Sequence, residues 1–298
     1  MTVGLFVSTS HMSYDVSHKP SIANSSDTAF YRPPCRVLIC LSGKRKSGKD
    51  FFAARLREQL GSLVLDALQL NDLIVSVDVV GVSFSLKDQY ARLNGLDAQR
   101  LRDDSDYKET VRSEMVEYGE RIRQKDPGFF CREALRRVVP LVDDSIQLAS
   151  TSHLDGGLQI IIVSDCRRPS DLAYFRKVSA YNFDPERELS TPEADADDEY
   201  DARCDFSAPT QRTSILPILV RINADEGTRR ARGLRFVAGI DDAPTECALD
   251  GDDVPWDVCV HNDGDSPLNE AIRRIATLCA KRISLVSNAS MHSSGSSL

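Results

Sequence analysis

Gly43 and Gly48, four basic residues (Lys44, Arg45, Lys46 and Lys49), Ser47 and Asp50 form one run with the spacing G-x-x-x-x-G-K. That pattern suits polyphosphate binding. Glycine-loop N–H groups can surround an anion while the helix that follows points its positive end at it. Lys49 would then reach the β- and γ-phosphates of a nucleotide. Asp50 stands where a Ser or Thr hydroxyl usually meets Mg²⁺. A carboxylate there complements the helix dipole but repels phosphate unless a metal lies between them. The loop therefore reads as metal-dependent, with ATP and Mg²⁺ as its ligands.

Two further basic groups follow apolar runs: Arg167 and Arg168, then Arg229, Arg230, Arg232 and Arg235. In a chain of net charge −8, three such groups point to a small, highly anionic ligand. The same net charge argues against nucleic acid or an acidic membrane, which are held by basic surfaces. Arg229 and Arg232 lie one helical turn apart, so they act together as a lid clamp or share a solvated helix face. Asp165, ending a strand, positions a metal or an arginine, or else caps a helix. The eight cysteines lack C-x-x-C spacing and the five histidines form no metal or nucleophile pattern. Reduced thiols and no catalytic histidine are expected.

The elements that must position these groups alternate. The apolar run Val37–Leu41 reads as a strand buried on both faces, hence parallel. Phe52, Leu56 and Leu60 recur at helical spacing over 49–60, with Gly61 suited to a C-cap. Strand-like segments follow near 63–69 and 73–80, then a helix near 86–93. A long helix from about 105 carries the stripe Tyr107, Val111, Met115, Tyr118 and Ile122 until Asp126-Pro127-Gly128 stops it. A helix over about 129–139 ends before Pro140. Gln159–Val163 is the next strand, with a helix from about Ser170. Ile215–Ile222, interrupted by Pro217, is the last clear strand, leading into a helix with Arg229 and Arg232. Alternation of this kind implies a parallel sheet with its site at the carboxyl ends of the strands, where all three basic groups fall.

Length and a hydrophobic content of 41% allow one core. Residues 1–33 and 289–298 read as disordered tails around a domain at 34–288. Ten acidic residues between Asp184 and Asp205 mark a disordered insertion over about 184–212. No apolar run approaches the ~20 residues a membrane helix requires, and no basic leader precedes Val3–Val7, so an intracellular, cytoplasmic chain is expected. The final Ser-Ser-Leu resembles a peroxisomal address only loosely, lacking a basic middle residue.

The run Ser42–Phe51, the segment Tyr107-Lys108-Glu109, Asp126–Arg132, Val163–Arg168 with Ser170-Asp171, Gly239–Ala243 and Glu246-Cys247 together resemble animal-type phosphomevalonate kinases, across roughly 36 to 285. The resemblance implies an α/β fold of the nucleoside-monophosphate-kinase kind: a parallel-sheet P-loop kinase core, a helical substrate-binding region and an arginine-bearing lid. It implies transfer of a phosphoryl group from ATP to 5-phosphomevalonate, giving 5-diphosphomevalonate in isoprenoid and sterol synthesis. That family's loop also ends in Lys-Asp. By this likeness Gly43 to Asp50 bind ATP phosphates with Mg²⁺ and Arg229 and Arg232 are lid arginines, Arg232 also touching ATP; Lys49, Arg167, Arg229 and Arg232 are expected to stabilise the migrating group, with Asp50 and, from its place at a strand end, Asp165 as the candidates to serve the metal. Lys87, Arg123, Arg132, Arg167, Arg168 and Asn262 face the substrate. The chain departs from the pattern in its N-terminal tail, near 71–84, and in the acidic insertion. A monomer is expected. An acceptor phosphate has a second pKa near ~6, so no general base is required. The alternatives are another P-loop small-molecule or nucleoside monophosphate kinase, or a nucleotide-binding regulatory protein without catalysis.

Overall fold

The computed structural model describes residues 35–102, 106–139, 157–180, 215–251 and 253–293. The expected N-terminal tail and acidic insertion lie outside the described residues. Among the described residues five strands build one sheet: β1 (Cys35–Ser42), β2 (Val75–Val80), β3 (Leu158–Val163), β4 (Ile218–Asn223) and β5 (Val258–His261). Their order is β2-β3-β1-β4-β5 and every neighbouring pair is parallel. β1 is central, and all eight of its residues are buried, as its unbroken apolar run requires.

Strand alternation divides the core into two layers. Val37, Ile39 and Leu41 pack with Ile160, Ile162, Val220 and Ile222 against Phe52, Leu56 and Leu60 of α1 (Lys49–Leu68) and Ile272 and Ile275 of α9 (Asp265–Ser293). Leu38 and Cys40 face the other way, onto Phe130 and Cys131 of α5 (Phe129–Leu135) and Leu172 and Phe175 of α6 (Pro169–Ala180). Each such side chain contributes about 1.5–3 kcal/mol when fully withdrawn from water, so the central strands carry the stability of both layers.

The helical side arm comprises α2 (Val82–Asn94), α3 (Ala98–Arg102) and α4 (Asp106–Lys125), joined by a small core of Tyr90, Ala91, Leu101 and Met115. The short helices α7 (Glu226–Ala231) and α8 (Pro244–Cys247) lie between β4 and β5.

Three sequence expectations are corrected. α1 does not stop at Gly61 but runs to Leu68, so the segment near 63–69 is helix rather than strand. A side chain at position 61 would face β2, its Cβ 3.6 Å from Val75 and from Val77, so the glycine marks close helix–strand approach. The helix instead ends at Gln69 in a left-handed conformation whose N–H returns to Asp66 and Leu65. Beyond Ile222, the sheet gains β5, a strand of four residues with alternating burial. Finally, α9 continues past 288 to Ser293.

Candidate functional site

The loop from Gly43 to Asp50 leaves the carboxyl end of β1 and enters α1. Lys46 (φ 60) and Gly48 (φ 83) take left-handed conformations, which reverse the chain within a few residues. A Cβ at Gly43 would sit 2.7 Å from the Ile222 carbonyl, and one at Gly48 2.2 Å from Asn262 Nδ2. Both glycines are therefore required by close approach. Lys49 is 9% exposed, with its ammonium 3.7 Å from Asp50, whose side chain is 77% exposed at the start of the helix.

Three groups grip the loop's carbonyls. Arg229 Nε donates to the Arg45 carbonyl (2.9 Å), while Arg232 Nη1 (3.2 Å) and Asn262 Nδ2 (2.9 Å) donate to that of Ser47. Arg232 also donates to the Asn262 carbonyl at 2.6 Å. All peptide bonds here are trans, so N–H groups of Lys46 and Gly48 point away from the gripped carbonyls. Arg229 and Arg232 thus face the loop together rather than a solvated helix face. Arg232 is the residue that caps α7, not a member of the helix. Asn262 follows β5 and is 3% exposed.

A second arginine group forms beside it. Arg167 and Arg168 lie on the turn from β3 to α6, where Asp171 Oδ2 accepts both backbone N–H groups (3.0 and 3.1 Å). Burial pushes the Asp171 carboxyl above the ordinary aspartate range, opposed by the Arg167 N–H and by nearby Arg123. Arg123, near the end of α4, lies over the Phe130 ring at 4.7 Å. Arg132 of α5 pairs with Asp126, and Arg168 with Glu120. Lys87 of α2 is buried, 5.5 Å from the Phe84 ring centre.

Asp165 serves α2. Its oxygens accept the N–H groups of Val82 (2.6 Å) and Ser83 (2.9 Å), so the carboxylate expected at the metal caps the helix that carries Lys87. The capped helix is one distant in sequence, not the one that follows Asp165. Among the described residues no group of three or more His, Cys, Asp or Glu side chains could hold an ion unaided.

The acidic partners were not foreseen from sequence. Asp241 Oδ2 accepts from Arg45 Nη1 at 2.9 Å, and Asp250 pairs with Lys44 and Arg221 at 2.5 Å each. Glu246 accepts the Arg45 backbone N–H at 2.8 Å and also pairs with Arg167. Asp241 and Glu246 lie in segments that carried the family likeness, but nothing in their spacing assigned them a partner.

Four buried donors of the loop and the arginine group, Ser47 Oγ and the Nε atoms of Arg123, Arg167 and Arg168, have no hydrogen-bond partner among the described residues, and the same holds for Ser85 Oγ on α2 and the acceptor Asp241 Oδ1. Each such orphan costs about 1–3 kcal/mol, and the four donors suit anionic acceptors. A cavity of about 370 Å³ opens beside the loop, bounded by Lys44, Ser47, Arg221, Arg229 and Trp256 among others. The arrangement can hold two anions side by side and offset their repulsion with fixed cations.

Comparison with known proteins agrees. Residues 41–182 match the profile of the family described as phosphomevalonate kinase. A phosphomevalonate kinase of Drosophila melanogaster is 30% identical over 226 residues, covering 76% of this chain and 88% of the fly protein.

Proposed function

Because the chain belongs to the phosphomevalonate kinase family, we propose that its two cationic groups bring ATP and 5-phosphomevalonate together for phosphoryl transfer. The bond between the γ-phosphorus and the β,γ-bridging oxygen breaks. A bond forms from that phosphorus to an oxygen of the acceptor's phosphate, leaving ADP and 5-diphosphomevalonate. The acceptor oxygen is already ionised near neutral pH, its second pKa being about 6. No side chain need remove a proton.

The observation that carries this reading is the set of orphaned donors: Ser47 Oγ on the loop, and Arg123, Arg167 and Arg168 Nε on the neighbouring elements. Loop amides and Lys49 hold the donor phosphates, with Arg229 of α7 and Arg232, which caps that helix, beside the loop. Arg123, Arg132, Arg167 and Arg168 hold the acceptor phosphate, with Lys87 on the adjoining helix and Asn262 at the loop's rim. Mg²⁺ would supply positive charge to offset what develops on the transferring phosphoryl group. Asp50, exposed at the first turn of α1, suits it, whereas Asp165 supports the site by fixing α2.

We assign the chain to the cytoplasm. No helix among the described residues is long and apolar enough to cross a membrane, and the seven described cysteines are free thiols, as in a reducing compartment.

Coupled ADP release with a panel of phosphorylated acceptors tests the function. Turnover with 5-phosphomevalonate is expected; turnover with a nucleoside monophosphate and none with 5-phosphomevalonate would reject it.

A further inference from the structure

We propose that Glu246 is a positioning residue, the shared acceptor that sets the phosphate loop and the substrate-side Arg167 at a fixed separation. The role rests on the phosphoryl-transfer reading above. A buried carboxylate beside a site for two anions opposes ligand binding by its own charge, so its presence there calls for a compensating task. Its geometry supplies one. Glu246 is 6% exposed; Oε2 accepts the Arg45 N–H at 2.8 Å and Oε1 accepts from Arg167 Nη1.

The two donors belong to different ligands' sites. Arg45 lies in the loop assigned to the ATP phosphates, and Arg167 on the turn assigned to the acceptor. One carboxylate holding both fixes the distance across which the phosphoryl group must travel.

The surrounding segment reinforces the grip on Arg45. Asp241 takes its guanidinium and Arg229 Nε its carbonyl, while Glu246 takes its N–H. Pro244 opens the short helix α8 and the Glu246 N–H bonds to the Ala243 carbonyl at 2.8 Å. The carboxylate is thereby presented from a fixed turn.

Glu246→Gln discriminates this role from packing. The amide keeps the size of the side chain but offers one acceptor in place of two, and its NH₂ would face one of the two donors. Turnover by the unmodified chain is measured first; its absence would overturn the phosphoryl-transfer reading and this role with it. With turnover present, Glu246→Gln and Glu246→Ala are each compared alone and with Arg167→Ala, together with thermal melting.

The expected result for Glu246→Gln is a kcat lowered about 10- to 100-fold, as misplacement by about 1 Å can cost, with melting little changed. With Arg167→Ala already present, the further loss shrinks to a few-fold, because one of the two tethers is gone. Wild-type kcat in Glu246→Gln, or a loss undiminished by Arg167→Ala, overturns the role and leaves the family reaction standing. Should Glu246→Ala fail to fold, the isosteric Gln substitution alone decides.

Discussion

Lys49 and Arg167 bear the sharpest consequences at the scale of single residues. Lys49→Met and Arg167→Ala should each lower turnover more than ~100-fold, as loss of a preorganised charge does, with circular dichroism unchanged; near-normal activity in both would reject the assigned roles. Asp171 gives a prediction in pH. Its carboxyl is raised by burial, so the native state binds that proton more tightly than the unfolded chain. The contribution is therefore full below the unfolded value of about 3.9 and is lost as pH rises through the folded one. Urea midpoints of the natural chain, relative to Asp171→Asn, should fall as pH is raised from about 3 to 6; a flat difference would contradict the burial. The cations that the fold gathers at the strand ends stood out in the sequence because phosphate binding demands particular side chains at particular spacings. Their carboxylate partners did not, since nothing distinguishes Asp241 or Glu246 among 45 acidic residues until the fold turns them inward.

At the scale of elements, β1, β3 and their helices were readable from apolar runs and breakers, because a strand buried on both faces needs an uninterrupted apolar stretch. β5 escaped notice because four residues of alternating burial carry little periodic signal. α1 was cut short because glycine is weak in helices, yet Gly61 lies in its interior against Val75 and Val77. That placement is testable. A methyl group at 3.6 Å makes ordinary contact, so Gly61→Ala should stabilise the protein by about 0.5–1 kcal/mol through helix propensity. Gly61→Leu should do the reverse by pushing β2 away. Chemical denaturation of both variants decides; a destabilising alanine would mean that the helix and strand lie closer than described.

For the molecule as a whole, parallel pairing sends β1, β3, β4 and β5 out at one edge, and the loop or short helix after each carries a cation or amide there. The resulting attraction for anions is opposed by an overall charge of −8, so it acts only at short range. Raising salt from about 0.05 to 0.5 M, which shortens the screening length from above 10 Å to a few ångströms, should raise KM for ATP several-fold. An unchanged KM would show that fixed contacts, rather than the field of the cationic rim, govern binding. The rim cations are moreover already engaged: Lys44 with Asp250, Arg45 with Asp241, Arg132 with Asp126, Arg167 with Glu246 and Arg168 with Glu120. At Lys44, Arg45, Arg132 and Arg168 an arriving solute must compete with an understudy of the same chemical kind, whereas at Arg167 the tether to Glu246 stays and the unpartnered Nε is what is offered. Free orthophosphate or sulfate merely trades one oxyanion for another, whereas a substrate that fills the rest of the cleft gains beyond the exchange. Competition by the common inorganic anions of the surrounding medium is therefore expected to be weak, which turnover measured against added sulfate at constant ionic strength checks.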